Sequence, residues 1–159
     1  MNPKPLSSTS ITSTIKSRFT QGFLRALKRI NRQKPRTGTP PPSSSREICK
    51  RYLKVKVAAD ASMACAVGSR RAWSRAMLRK IRSQSTCVKV RRRTRFRMKK
   101  KESNEKEDGN PKAMELRKLV PGGEAMEICK LLDETAHYIK CLSTQVKVMR
   151  RIADFYSSN

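Results

Sequence analysis

Residues 117–146 read RKLVPGGEAMEICKLLDETAHYIKCLSTQV. Leu119 and Val120 close a short apolar segment. Pro121-Gly122-Gly123 then breaks any helix, because proline lacks an amide donor and glycine favours turn conformations. After the break the pattern turns helical and stays so. Ile128, Leu132, Thr135, Ile139, Leu142, Val146, Met149, Ala153 and Tyr156 follow at steps of four and three. That is a heptad seam over four repeats, and Leu131 and Ile152 widen it. Each aliphatic side chain it buries contributes roughly 1.5–3 kcal/mol.

Upstream, Asn110-Pro111 is a strong helix start: asparagine caps, and proline at the first helical position gives up no needed hydrogen bond. Met114, Leu116, Leu119 and Val120 supply the apolar side of a helix only about ten residues long, too short to stand alone. Residues 110–159 therefore read as helix, loop, helix. One short helix cannot cover the long seam, so a partner helix pair is expected, giving a four-helix bundle across a dimer. The expected contact residues are Leu116, Leu119, Val120, Ile128, Leu131, Leu132, Thr135, Ile139, Leu142, Val146 and Met149. An internal antiparallel bundle is the alternative, and the two can coexist.

The chain has 159 residues with 38 Lys and Arg against 12 Asp and Glu, a net charge of +26 and a pI near 10.9. Such a charge opposes compaction and invites a polyanion, an acidic protein or an anionic surface. An aromatic content of 5% argues against a large core. Cys49, Cys65, Cys87, Cys129 and Cys141 are odd in number and form no C-x-x-C pair, so they read as free thiols in a reducing compartment. With His137 as the lone histidine, no zinc set assembles, and no cofactor is expected. His137 reads as a surface residue. No apolar run approaches a membrane span and no secretory core is expected. Nucleophile, base and orienter never converge, so no catalytic residue is assigned and the chain reads as a non-enzyme.

The N-terminal half divides by composition. Residues 1–11 are rich in Pro, Ser and Thr and read as disordered. Residues 12–31 form a basic amphipathic helix with Ile15, Phe19, Phe23, Leu27 and Ile30 on one face. Gly22 weakens it by about 1 kcal/mol. It packs on its own chain or on a partner; an acid-free start before Glu47 also suits an organellar transit peptide. Residues 32–45 are a Pro/Ser linker, with Pro40-Pro41-Pro42 excluding helix. Residues 46–84 read as a helical hairpin, its start marked by the capping-box spacing of Ser44 and Glu47. Ile48, Tyr52, Val55, Ala59, Met63 and Ala66 form the first stripe. Gly68 ends that helix and Ser69 is positioned to cap the next, where Trp73, Met77 and Ile81 are spaced by four. Arg70, Arg71, Arg75 and Arg79 form its solvated or acid-binding side.

Residues 85–109 are first basic, then acidic, and read as mostly disordered. Nine of the thirteen residues from Lys89 to Lys101 are cationic: Lys89, Arg91, Arg92, Arg93, Arg95, Arg97, Lys99, Lys100 and Lys101. A run this dense reads as a nuclear-import or polyanion-binding segment. Phe96 alone gives too little aromatic surface for base stacking. Glu105 to Asp108 then reverse the charge, and Gly109 and Pro111 interrupt any helix.

LRKLVPGG with Tyr138 to Val146 (YIKCLSTQV) resembles a plant basic helix-loop-helix domain. The block AADASMA…RAWSRAMLRKI resembles the plant atypical helix-loop-helix group that includes the ILI-binding proteins and their brassinosteroid-linked relatives. The likeness covers roughly residues 46–159. It implies a nuclear regulator that pairs with other HLH or bHLH factors and represses growth-promoting transcription while binding DNA poorly. Counted back from Pro121, the family's base-reading histidine, glutamate and arginine fall on Met98, Glu102 and Lys106. Only the glutamate matches, and lysine lacks arginine's bidentate fork. Met126 or Ile128 stands where helix 2 usually carries a phosphate-binding lysine. A continuous DNA-reading helix through Pro111 would cost about 3 kcal/mol or more.

The sequence thus predicts an all-α chain: a helix-loop-helix forming a dimeric four-helix bundle, preceded by a helical hairpin and disordered basic and Pro-rich segments. The expected function is sequestration of HLH or bHLH partners in the nucleus. The partner is an HLH heterodimer, with a homodimer possible, weak or non-specific nucleic acid contact and no membrane. The alternatives are a DNA-binding bHLH factor and an organellar RNA-binding protein.

Overall fold

The computed structural model describes residues 8–32, 45–90 and 111–158. Those residues are all-helical, with no strand among them: α1 Ser8–Arg32, α2 Ser45–Val67, a 3-10 turn Gly68–Arg70, α3 Ala72–Val90, α4 Pro111–Leu119 and α5 Ile128–Ser157. The expected cap residues Ser44 and Asn110, and the linker prolines, lie outside the described residues. Pro111 stands at the first position of α4, as its missing amide favours. α3 continues to Val90, past the expected hairpin end at residue 84.

The amphipathic helix α1 lies antiparallel on α2, with Gly22 facing Ser62. A Cβ at Gly22 would meet the Ser62 Cβ at 3.5 Å, an ordinary van der Waals distance, so an alanine would fit at this crossing. Phe19 and Phe23 stack with centroids 5.6 Å apart and are buried in the same core as Ala59, Met63 and Trp73. The first helix is thus part of the fold.

α2 ends at Val67 because Gly68 adopts φ +76°, a left-handed conformation that suits glycine. The stripe on α2 is only partly realised. Ala59, Met63 and Ala66 are buried, whereas Ile48 and Tyr52 remain exposed. Helical spacing marks a face along its whole length, but the packing on that face covers only its C-terminal half.

α5 is thirty residues, about 45 Å long. Its start lies at the α2–α3 turn, and its middle reaches α2, where Gln145 Nε2 donates to Asp60 Oδ1 at 3.2 Å. Its end lies beside α1, where Ile152 and Phe155 share a cleft with Thr20 and Leu24. One continuous core therefore joins α1, α2, α3 and α5.

Phe19→Ala is expected to destabilise the chain by about 3–5 kcal/mol, the usual loss for a buried phenylalanine. Urea denaturation followed by helical circular dichroism measures it. A change below about 0.5 kcal/mol would mean that α1 is peripheral.

Candidate dimerisation surface

The α4–α5 connection is built onto the hairpin. Gly123 N–H donates to Val120 O at 2.9 Å and Met126 N–H to Gly123 O at 3.2 Å. Arg117 donates through Nε and a terminal nitrogen to Met126 O at 3.3 and 3.2 Å, clamping the loop from inside. Gly122 has φ +76°, and a Cβ there would meet the Ala76 Cβ of α3 at 2.7 Å. At Gly123 a Cβ would meet Arg117 O at 2.8 Å. The two glycines do more than break a helix: Gly122 lets the loop backbone touch α3, and Gly123 lets it fold tightly against the end of α4 and Leu131.

The start of α3 is held by α5. Trp73 is 1% exposed. Its backbone N–H donates to Glu134 Oε2 at 3.0 Å, so a carboxylate from another helix supplies the cap. The expected cap Ser69 lies instead in the 3-10 turn. α3 begins at Ala72, and Ser74 Oγ ties the turn by donating to Arg71 O at 2.9 Å. Arg71 pairs with Asp133 and lies 3.7 Å from Glu134, so this arginine belongs to the junction and not to a solvated face. The Trp73 indole N–H donates to His137 Nδ1 at 3.1 Å, and its ring packs on Tyr138 at 4.9 Å between centroids.

His137 is therefore half-buried and engaged, not a surface residue. Burial, then the nearby Arg71 charge, lowers its pKa from 6.5. Cys141 Sγ lies 3.6 Å from the same ring nitrogen, and burial pushes its thiol up to about 11. A thiol held protonated is a poor nucleophile. Among the described residues no group of three His, Cys, Asp or Glu side chains is placed to hold a metal. No described helix is long and apolar enough to cross a membrane.

These contacts set the rotation of α5. Its inward line runs Leu131, Glu134, Tyr138, Cys141, Gln145, Val148 and Ile152. The heptad seam lies one residue later at nearly every step, about 100° around the helix. Leu131 and Thr135 are buried within the chain, as is Val120 from the loop, and Leu116 and Met149 pack on the core. Leu142 is half-buried. Ile128, Leu132, Ile139 and Val146 stay exposed, with Leu132 at 54% and Ile139 and Val146 each at 56%. Leu119 on α4 is 74% exposed. The seam residues thus divide into an inner set that completes the core and an outer stripe.

Of the basic run, Lys89 lies on the last turn of α3. Arg91, Arg92, Arg93, Arg95, Arg97, Lys99, Lys100, Lys101 and the positions Met98, Glu102 and Lys106 lie outside the described residues. Asp60, Arg71, Glu134, His137 and Gln145 were missed as positioning residues. Glu134, His137, Cys141 and Gln145 recur at helical spacing beside the seam, a pattern that also fits a solvated flank.

Residues 12–85, spanning nearly all of α1 to α3, match the family described as IBH1-like, N-terminal domain. Similarity to whole relatives extends beyond that segment. The rice (Oryza sativa subsp. japonica) protein named Transcription factor IBH1 is 34% identical over 165 residues, covering 85% of this chain and 76% of its own. The chain belongs to the IBH1 family. Transcription factor bHLH146 of Arabidopsis thaliana is 30% identical, covering 85% of this chain and 80% of its own. Transcription factor IBH1-like 1, also from Arabidopsis thaliana, is 28% identical, covering 72% and 83%. No solved structure matches the chain. The IBH1 family membership makes it a transcription regulator of the helix-loop-helix type.

Gly122→Val is expected to destabilise the fold by about 2–4 kcal/mol through left-handed strain and the clash with Ala76; thermal melting measures it. His137 predicts a pH dependence. Its folded pKa lies below the unfolded 6.5, so the unfolded chain takes up the proton first and stability falls as pH drops through and below 6.5. Melting temperatures between pH 5 and 7.5 should decline less steeply in His137→Gln than in the parent.

Proposed function

We propose that this chain is an atypical helix-loop-helix regulator that captures HLH or bHLH factors through the outer stripe of α5 with Leu119. The observation that carries the reading is the row Ile128, Leu132, Ile139 and Val146, which stays exposed at heptad spacing after α5 has packed its core face. An exposed aliphatic row of this length favours a partner helix over water. A mixed dimer of this kind holds one competent DNA arm, whereas a two-half-site element needs two. The captured activator is thereby withdrawn from its sites, which represses the growth-promoting, brassinosteroid-linked responses that the resemblance implies. Weak or absent sequence-specific DNA binding follows from the degenerate positions Met98 and Lys106. The run from Lys89 to Lys101 directs the chain to the nucleus. Integration of Phe19 and Phe23 into the core supports this over an organellar protein, because removing α1 as a transit peptide would strip the fold of both rings.

The double change Leu132→Asp with Val146→Asp tests the surface. Both side chains are exposed, so the melting temperature should move little. Capture of HLH proteins from nuclear extract, identified by mass spectrometry, should be lost. Undiminished capture would place the partner surface elsewhere. A gel shift of an E-box duplex against scrambled DNA at physiological salt should show no preference, whereas a specific reader discriminates by about 10³ or more.

A further inference from the structure

A second surface lies on the other side of α5. Two clefts, of about 470 and 420 Å³, share Leu24 and Tyr156 and so form one trough between α1, the start of α2 and the end of α5. One wall is a single row of α1, in which Lys16, Thr20, Leu24 and Lys28 recur at steps of four. That row is about 18 Å long, the length of a three-turn helix. Leu24, Leu27, Val55 and Ile152 give the trough an aliphatic lining. Phe155 and Tyr156 stand 67% and 69% exposed at its mouth, packed edge to face at 5.8 Å.

The rim is cationic. Lys16, Lys28, Lys50, Arg51, Lys54 and Arg151 line it, and Glu47 is its one acid. Among the described residues no salt bridge engages any of the six. Phe155 follows Val146 by nine residues, about half a turn around α5, whereas Arg151 borders both the trough and the cleft beside Leu142 and Val146.

We propose that this trough docks a short acidic amphipathic helix of a second partner protein, while the outer stripe is left to an HLH partner. The aliphatic lining takes the helix's apolar face, and the six cations take its carboxylates. Phosphodiester backbone would meet the rim charge but leave the aliphatic lining unfilled. The device would let one chain hold a captured factor and recruit another protein at once.

The test uses the full chain and a fluorescein-labelled twelve-residue peptide with Leu and Phe on one helical face and Asp and Glu on the other. Fluorescence anisotropy is read at physiological salt. The peptide should bind about tenfold tighter than a scrambled peptide of identical composition, and Phe155→Ser or Arg151→Glu should each remove most of that advantage. Both residues are exposed, and circular dichroism verifies the fold. Capture of an HLH partner should be unaffected by Phe155→Ser, and Leu132→Asp with Val146→Asp should leave peptide binding intact. Equal affinity for the scrambled peptide would reduce the interaction to bulk charge and overturn the proposal. So would unchanged binding in both variants. Binding to phosphatidylserine vesicles or a single-stranded oligonucleotide that Phe155→Ser weakens more than it weakens the peptide would assign the trough to another ligand.

Discussion

Trp73 is buried with two N–H groups that need acceptors, and α5 supplies both. Glu134 takes the backbone donor at the start of α3, and His137 takes the indole donor. A buried donor left unpaired costs about 1–3 kcal/mol, so these bonds select one rotation of α5 over its neighbours. Arg71 offsets the buried Glu134 charge, and Tyr138 covers the indole ring. From that junction α5 runs over α2 and reaches α1, so its far end is positioned by what happens at its start.

The rotation has a direct functional consequence. α5 carries apolar or core-compatible residues along two neighbouring lines, and the Trp73 junction turns the earlier line inward. Four residues of the later line, Ile128, Leu132, Ile139 and Val146, are left on the surface at the spacing a partner helix needs. The Pro-Gly-Gly loop serves the same end. Gly122 lets it dock on α3, Gly123 lets it close on the end of α4, and Arg117 holds it closed, so α4 and α5 leave the loop at a set geometry. The N-terminal helices thereby form the platform on which α4 and α5 are set.

Charge is divided along similar lines. Three of the few acids, Asp60, Asp133 and Glu134, are spent on interhelix contacts. The exposed Asp133 pair contributes little, while the buried Glu134 carboxylate specifies geometry. Among the described residues most cations are exposed, and a net charge of +26 favours contact with negative charge.

Much of this was legible in the residues. The helical periodicities, the breaks at Gly68 and Pro121-Gly122-Gly123, Trp73 as an anchor and the family resemblance all follow from local propensity and motif. The Ser69 cap and the surface reading of His137 did not hold, because each depended on what another helix brings near. A serine before a helix is a local signal; Glu134, sixty-one residues from Trp73, is not. Local propensity and spacing set where helices form and give α5 more apolar surface than one short neighbour can cover. Packing selects which of two adjacent lines, a single residue apart, forms the core and which keeps exposed aliphatic residues. Helical spacing cannot separate such neighbours. The need to satisfy and cover one buried tryptophan does.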